Sequence, residues 1–406
     1  MATDDYTLRT LTADDLDEYA GVVATAFLSE GDLANVIDAE RTVFEPDRTV
    51  AVLEGGRFAG VGGILTRSLT LPGGRARPVA GVTSIAVRPD QRRRGVLSRI
   101  MRAQLDGLHE SGAEPIAALW ASEAAIYGRF GYGLATDYIH YEITAKTPFR
   151  PGVDLGADRV REVARADAIE AIKPIYERHA ATTVGALSRP GAYWEYHLLD
   201  TERRRAGASP LRFAVHPDGY AVYRVKGEWS ERAPDGRLMV RELVATTPRA
   251  YAALVRYLLD VDLIGMVELD GAVDEPLTLL LQTPRAALRK RFDGLFIRLV
   301  DLDRALVARD YAADVDVVIE VADEWCPWNA GRWRFTAKDA QATVERTTAD
   351  ADLSTSSTEL GAAFLGGTRL TMLAAAGRVH EHTPGAVARL SAAFLGEREP
   401  ACVEVF

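Results

Sequence analysis

The sequence is poor in cysteine and has no long uncharged apolar run, and each shortage excludes a class of protein. Its 406 residues include only two cysteines, Cys326 and Cys402, whereas a secreted domain held together by disulfide bonds needs many more. No apolar stretch is long enough to span a bilayer, and the first residues lack the basic start and apolar segment of a signal peptide. We therefore expect a cytoplasmic protein without a membrane span.

Motifs for metal binding and for nucleophilic catalysis are also missing. His380 and His382 alternate at a spacing that could seat a metal, but no third group of ligands accompanies them. No Ser-His-Asp signature, Walker loop or zinc motif is present. Cys402 has no histidine partner in a nearby motif, which favours a small buried apolar residue over a nucleophile. We predict that the protein binds no metal.

The charge balance favours cationic partners. The chain has 48 basic and 58 acidic side chains and a formal net charge of −10. An acidic surplus repels phosphate backbones and attracts cations. We therefore expect a cationic substrate and no binding to nucleic acid.

The length and the order of predicted elements indicate more than one domain. A chain of 406 residues exceeds what one hydrophobic core usually organises. Strands alternate with helices up to a stretch rich in proline and glycine at residues 146–152, which predicts the first boundary. The middle of the chain alternates again and predicts a mixed α/β domain. From Tyr311 onward, three strands precede two helices, which predicts an α+β domain.

A basic loop between a strand and a helix is the first candidate site. The apolar run at residues 79–87 predicts a strand, and residues 96–109 predict a helix. Between them lies the sequence Arg92-Arg93-Arg94-Gly95. Free N–H groups in the first turn of a helix and the positive end of its dipole suit a pyrophosphate, and a glycine lets the backbone approach it closely. A basic run is more often a solvated surface, and the flanking strand and helix favour phosphate binding here.

Two stretches together resemble the GNAT acetyltransferase superfamily. Arg92-x-x-Gly95 resembles its pyrophosphate loop, although Leu97 departs from the usual glycine or alanine. The segment Ala121-Ser-Glu-Ala-Ala-Ile-Tyr127-Gly-Arg-Phe-Gly-Tyr-Gly133 resembles the part of GNAT domains that closes the cofactor site. Arg-Arg-Arg-Gly-x-Leu and this second motif occur together in the enhanced intracellular survival (Eis) branch. Further likeness at residues 296–306 and 325–334 extends the resemblance over the whole chain.

The resemblance implies an architecture and a set of site residues. It implies tandem GNAT folds with mixed sheets flanked by helices, followed by a sterol-carrier-like α+β domain, with units at 1–146, 147–300 and 301–406, assembled as a hexamer. It implies that acetyl-CoA is the co-substrate. Tyr127 takes the position of the general acid, and the terminal carboxylate of Phe406 that of the base. The residues that the resemblance assigns to acetyl-CoA are Ile85, Ala86, Val87, Arg93, Arg94, Gly95, Val96, Leu97, Ser98, Ser122 and Glu123.

The chemistry of acetyl transfer agrees with these assignments. A neutral amine must attack the thioester carbonyl, and the departing thiolate needs a proton. A tyrosine suits the donor, because its reference pKa of about 10 lies above the roughly 8.5 of a thiol. A carboxylate at the chain end is always ionised and is a weak base, so its role can be mainly to position the ammonium or a relay water.

An acidic pocket with two aromatic side chains would suit a bulky polycation. We predict that Phe27, Glu30, Asp32, Trp120 and Glu404 line it. The resemblance implies aminoglycosides as acceptors. Two alternatives stay open: acetylation of protein lysines or polyamines, and a lipid or ligand carrier in which the GNAT part serves only assembly. The alternating pattern at residues 401–406 also predicts a terminal strand.

Overall fold

The first unit is built on a long antiparallel hairpin. The computed structural model describes residues 6–29, 33–231 and 234–406. Gly73 and Gly74 both take positive φ angles, which glycine adopts readily, and they turn the hairpin between its two longest strands. The elements of this unit are β1 (Tyr6–Thr10), α1 (Leu16–Ala26), α2 (Leu33–Val43), β2 (Thr49–Glu54), β3 (Arg57–Leu71), β4 (Arg75–Val87), α3 (Val96–Ser111), β5 (Ile116–Trp120), α4 (Ala124–Tyr127) and β6 (Gly133–Leu134).

The second unit repeats the same kind of mixed sheet. Helix α8 begins at Pro248 and packs its apolar face on this sheet, because its apolar residues recur at helical spacing. Its elements are β7 (Asp137–Thr144), β8 (Arg161–Val163), α5 (Arg165–Ala180), α6 (Tyr193–His197), α7 (Glu202–Arg205), β9 (Arg212–His216), β10 (Gly219–Lys226), β11 (Gly236–Ala245), α8 (Pro248–Asp260), β12 (Ile264–Gly271), α9 (Leu277–Leu280) and β13 (Ala287–Asp293). The next strand, β14 (Leu295–Leu299), returns to the sheet of the first unit.

The third unit is the predicted α+β domain. Its interior is filled by Tyr311, Phe335 and Phe394, whose ring centroids lie 4.9 to 5.9 Å apart. Its elements are α10 (Leu302–Val307), β15 (Val315–Ala322), β16 (Gly331–Lys338), β17 (Gln341–Arg346), β18 (Leu353–Ser356), α11 (Ser357–Ala363), α12 (Leu370–Ala375), β19 (His380–Glu381) and α13 (Ala386–Phe394).

The first two units exchange strands, which corrects the predicted boundaries at 146 and 300. Over the described residues the sheet orders are β1-β2-β3-β4-β5-β14-β6, β13-β7-β12-β11-β10-β9-β8 and β17-β16-β15-β18-β19. Strand β7, placed before the cut at 146, lies in the second sheet, and β14, placed before the cut at 300, lies in the first. The chain crosses between sheets near Thr136 and Gly294, so the proline- and glycine-rich stretch at 146–152 lies within the second unit. Helix α10 begins at Leu302, next to the predicted cut at 301.

The predicted terminal strand is wrong. Residues 401–406 have no strand pairing. The tail is held instead by single contacts: the N–H of Ala401 donates to the carbonyl of Val184 at 2.8 Å. In the described part of the chain, no group of three His, Cys, Asp or Glu side chains is placed to hold a metal. Among the described residues, no helix is long and apolar enough to cross a membrane.

Candidate active site

The site begins where β4 and β5 separate. The two parallel strands pair only at Ala80 with Ala117 and Gly81 with Ala118, although β4 continues to Val87. A bulge opposite Gly62 places Ser84 at a φ of 52°, and such a bulge bends a strand and increases its twist. In the described chain, the β4 edge from Ile85 to Val87 therefore has no partner on the β5 side. Its backbone groups are free to bind an extended ligand.

The basic loop after β4 leads into the start of α3. Gly95 caps this helix with a φ of 83°, and Arg93 before it has a φ of 61°. The first turn of α3 contains no acidic residue, so its N–H groups and the helix dipole present uncompensated positive charge. This local geometry is suited to an anion.

A cavity of about 720 Å³ joins the loop to the end of β5. We call it the first-domain cavity. Among the predicted residues, those that line it are Phe27, Ile85, Val87, Arg93, Gly95, Val96, Leu97, Ser98, Ser122, Glu123 and Tyr127. The residues that the sequence-based assignment missed are Ala26, Gln91, Arg92, Ile126 and Arg129. Arg92, Ile126 and Arg129 lie inside the two motifs, whereas Ala26 and Gln91 carry no motif signal.

Two predicted residues lie at the site but turn their side chains away. Ala86 is 1% exposed and packs in the core beneath α1, because alternate residues of a strand face opposite sides. The guanidinium of Arg94 donates to Glu54 at 2.6 Å and to Gln91 at 2.8 Å. The Arg94 side chain therefore pairs with Glu54, and it does not line the first-domain cavity.

Tyr127 is a buried residue of the cavity wall. It ends the short helix α4, is 7% exposed and lines the cavity. Burial, and to a lesser degree the charge of Glu123, raise the pKa of its phenol. The Tyr127 hydroxyl is therefore protonated at neutral pH, and the hydrophobic surroundings strengthen any hydrogen bond that it donates.

The predicted acceptor pocket is only partly described. Phe27 is 47% exposed and lies on the cavity wall. Trp120 ends β5, and its ring lies 6.1 Å from that of Tyr138, outside the cavity lining. Glu30 and Asp32 lie outside the residues that the structure describes.

Phe406 reaches the point where β4 and β5 separate. Its ring lies so close to Gly81 that a Cβ there would be 3.2 Å from the ring edge. The Arg67 guanidinium lies 5.9 Å from the centre of the same ring. The last residue of the third unit therefore packs against the sheet of the first.

Glu404 is buried in an ion-pair network, which corrects its predicted place in the acceptor pocket. Its carboxylate accepts from Arg67 at 2.7 Å and from Arg189, and Arg189 also pairs with Glu242 at 2.5 Å. Two arginines balance two glutamates, so Glu404 has no spare negative charge for a cationic acceptor. The network joins β3, the loop before α6, β11 and the tail. It fixes the chain two residues before Phe406.

We predict that Glu404→Gln destabilises the protein at neutral pH. We also expect the stability of the variant to fall less than that of the parent as the pH is lowered. Burial alone would raise the pKa of Glu404, but Arg189 and Arg67 lower it. Such a carboxylate adds stability above the unfolded-state pKa of about 4.3, and this stability is lost as the pH falls through the folded-state pKa. Glutamine removes the charge-assisted hydrogen bonds, at a cost of about 1.5–3 kcal/mol at neutral pH.

Thermal unfolding measured from pH 7 down to pH 3 checks this prediction. The melting temperature of the variant should lie below that of the parent at pH 7, and the two should converge in acid. The matched control is Glu345→Gln, on an exposed strand position. If the melting temperatures of the variant and the parent differ by the same amount at every pH, the charge of Glu404 does not contribute to stability.

Comparison with known proteins agrees with this geometry. Profiles described as "Acetyltransferase (GNAT) domain" match residues 7–135 and 185–299, and one described as "Sterol carrier protein domain" matches residues 302–403. An "Uncharacterized N-acetyltransferase" of Streptomyces avermitilis is 40% identical over 97% of both chains. The "N-acetyltransferase Eis" of Mycobacterium tuberculosis is 34% identical over 96% of this chain and 97% of its own length.

A solved structure shows the same fold over the same length. The crystal structure of Eis1 from Mycobacterium abscessus superposes with a TM-score of 0.86 at 35% identity, covering 98% of this chain and all of that one. The predicted fold class of two GNAT domains and a sterol-carrier-like domain is thereby confirmed. The chain belongs to the Eis family of GNAT proteins and is an acetyl-CoA-dependent N-acetyltransferase.

Proposed function

We propose that the first-domain cavity transfers the acetyl group of acetyl-CoA to an amine of a small polycation, with Tyr127 as general acid. The observation that carries this proposal is the arrangement of the cavity: a cationic loop and helix start lie at one end, and a buried tyrosine lines the same space. The loop suits the pyrophosphate, and the free edge of β4 suits the amide groups of the pantetheine arm. The carbonyl carbon would then lie near Tyr127.

The proposed step balances its protons between two groups of this chain. The nitrogen of a neutral amine forms a bond to the thioester carbon, and the carbon–sulfur bond breaks. Tyr127 donates its proton to the departing sulfur. The Phe406 ring packs against Gly81 and anchors the chain end, and the terminal carboxylate takes or relays the proton that the amine loses. The surrounding dipoles stabilise the developing charge.

The acceptor that we propose is a polycationic amine of the aminoglycoside class. The net charge of −10 favours the approach of cations, and the exposed ring of Phe27 on the cavity wall suits an apolar sugar face. Protein lysines and polyamines are the alternatives within the same chemistry. The hexamer and the cytoplasmic location remain expectations from the family resemblance.

Thiol release in the presence of acetyl-CoA tests the proposed function. The protein is incubated with aminoglycosides, polyamines and lysine peptides, and acetylated products are identified by mass spectrometry. Aminoglycosides should give the highest kcat/KM. Faster turnover of peptides or polyamines would reassign the acceptor, and no thiol release with any amine would favour the carrier alternative.

We predict that Arg93→Glu combined with Gly95→Asp weakens acetyl-CoA binding by about tenfold or more, because both changes place negative charge against the pyrophosphate. Calorimetry measures the affinity. The matched pair Arg93→Gln and Arg94→Gln separates the two arginines: the first should weaken binding and the second should not, since Arg94 faces Glu54. Unchanged affinity in the double variant would remove the pyrophosphate assignment.

A further inference from the structure

The side chain of the last residue, Phe406, occupies a pocket that combines residues of the first two units. The Phe406 ring is half-buried and packs against apolar side chains from the end of α2, from β3 and from the start of α6. Helix α6 belongs to the second unit, whereas the other two elements belong to the first. The residues that form this pocket, which we call the Phe406 pocket, are Val43, Leu65, Arg67, Gly81 and Tyr193.

A glycine leaves the space that the ring needs. Leu65 on β3 and Gly81 on β4 are paired across the sheet, so side chains at the two positions face the same side. A Cβ at Gly81 would lie 3.2 Å from the Phe406 ring and 3.4 Å from the Cγ of Arg67. Carbon atoms in favourable contact lie about 3.5–4.0 Å apart. A side chain at position 81 would therefore push against the ring.

Arg67 holds the tail at two points. It follows Leu65 by two residues in β3 and therefore lies on the same face of the strand. Its buried guanidinium donates to Glu404 at 2.7 Å and lies 5.9 Å from the centre of the Phe406 ring. Val405, between these two residues, is 66% exposed. The last three residues are therefore held through Glu404 and Phe406.

Tyr193 is the contribution of the second unit to the Phe406 pocket. The centre of its ring lies 4.4 Å from the guanidinium carbon of Arg67, and its hydroxyl donates to Glu45 at 3.2 Å. Glu45 also accepts from the N–H of Thr66 at 2.7 Å. The Tyr193 ring is therefore held at its face and at its tip by residues of the first unit. Its removal would open one wall of the Phe406 pocket.

The Phe406 pocket is separate from the place proposed for acetyl-CoA. None of its five residues lines the first-domain cavity. A change in the pocket should therefore leave acetyl-CoA binding intact and move the chain end, whose terminal carboxylate is attached to the same Cα as the Phe406 side chain. A displacement of about 1 Å between reacting groups can cost on the order of a hundredfold in rate.

We propose that Tyr193 is a positioning residue, which together with Arg67 holds the Phe406 ring so that the terminal carboxylate is directed to the acceptor amine. This inference rests on the proposed function, in which that carboxylate takes or relays the proton of the amine. The second unit then contributes to the reaction, although no described residue of that unit lines the first-domain cavity.

The variant Tyr193→Ala tests the positioning role. Its kcat should fall about tenfold or more, while the acetyl-CoA affinity measured by calorimetry stays near that of the parent. Tyr193→Phe keeps the ring and loses only the hydrogen bond to Glu45, so it should retain most of the parent kcat. The matched control is Tyr251→Ala, because Tyr251 is a tyrosine of the second unit with similar burial, 9% exposed against 8% for Tyr193. The control should keep the parent kcat, and thermal unfolding checks that each variant is folded.

Two further proteins make the outcome decisive. Phe406→Ala removes the ring and keeps a terminal carboxylate, so its kcat should fall to a similar extent even if Tyr193→Ala does not fold. In a protein with a C-terminal tag, which tests the proposed base by itself, Tyr193→Ala should change the residual rate little, because the carboxylate is already lost.

The parent kcat in folded Tyr193→Ala or in Phe406→Ala, beside an inactive tagged protein, would overturn the positioning role and leave the proposed base standing. An equal fractional loss from Tyr193→Ala in tagged and untagged protein would also overturn it, since the residue would then not act through the carboxylate. The parent rate in the tagged protein would overturn the proposed base and this inference with it.

Discussion

Replacing Tyr127 by phenylalanine should lower turnover about a hundredfold or more and leave acetyl-CoA affinity nearly unchanged. The change removes only the proton donor, and general acid catalysis contributes on the order of 10²–10⁴ in rate. The ring keeps its packing at the end of α4, where the side chain is buried. Steady-state thiol release gives kcat, and calorimetry gives the affinity.

Tyr132→Phe is the matched control for this prediction. Tyr132 stacks edge-on against Tyr127 with ring centres 6.1 Å apart, is also buried, and does not line the cavity. The same chemical change there should leave kcat within about twofold. If Tyr127→Phe also turns over near the parent rate, Tyr127 is not the acid.

A C-terminal tag should abolish most of the activity without unfolding the protein. The tag converts the Phe406 carboxylate to an amide and extends the chain at the point where the ring packs near Gly81. The anion that would receive the proton of the amine is then lost. Circular dichroism and thermal unfolding check the fold, and thiol release with acceptor and acetyl-CoA gives the activity.

The control for the tail is the same tag at the N-terminus, which should change the rate little. Glu404 cannot replace the terminal carboxylate, because Arg67 and Arg189 already occupy it. If a folded, C-terminally tagged protein acetylates at the untagged rate, the assignment of Phe406 fails. Glu123, which lines the cavity near Tyr127, would then be the next candidate.

The parts of the site that depend on local sequence could be predicted from the sequence. The strand, the basic loop and the start of α3 follow from an apolar run, a glycine and a helical repeat within twenty residues. The motif that ends in Tyr127 is equally local. Most residues predicted from these two stretches line the cavity.

The parts of the fold and the site that depend on long-range pairing could not be predicted from the sequence. The place of β14 between β5 and β6 is decided by partners more than 150 residues away in the chain, so no periodicity reveals it. Glu404 lies 337 residues from Arg67, and its charge made it resemble a substrate ligand. Arg94 was assigned to the pyrophosphate by its place in the motif, but the nearby carboxylate of Glu54 binds its side chain instead.

The central claim is that the first-domain cavity holds acetyl-CoA with its thioester beside Tyr127 and the chain end. A crystal structure with coenzyme A and an aminoglycoside tests it most directly. The account predicts the pyrophosphate on Arg93 and the first turn of α3, the sulfur within hydrogen-bonding distance of the Tyr127 hydroxyl, and an acceptor amine within one water of the Phe406 carboxylate. Coenzyme A bound at another place, or a sulfur remote from Tyr127, would contradict it.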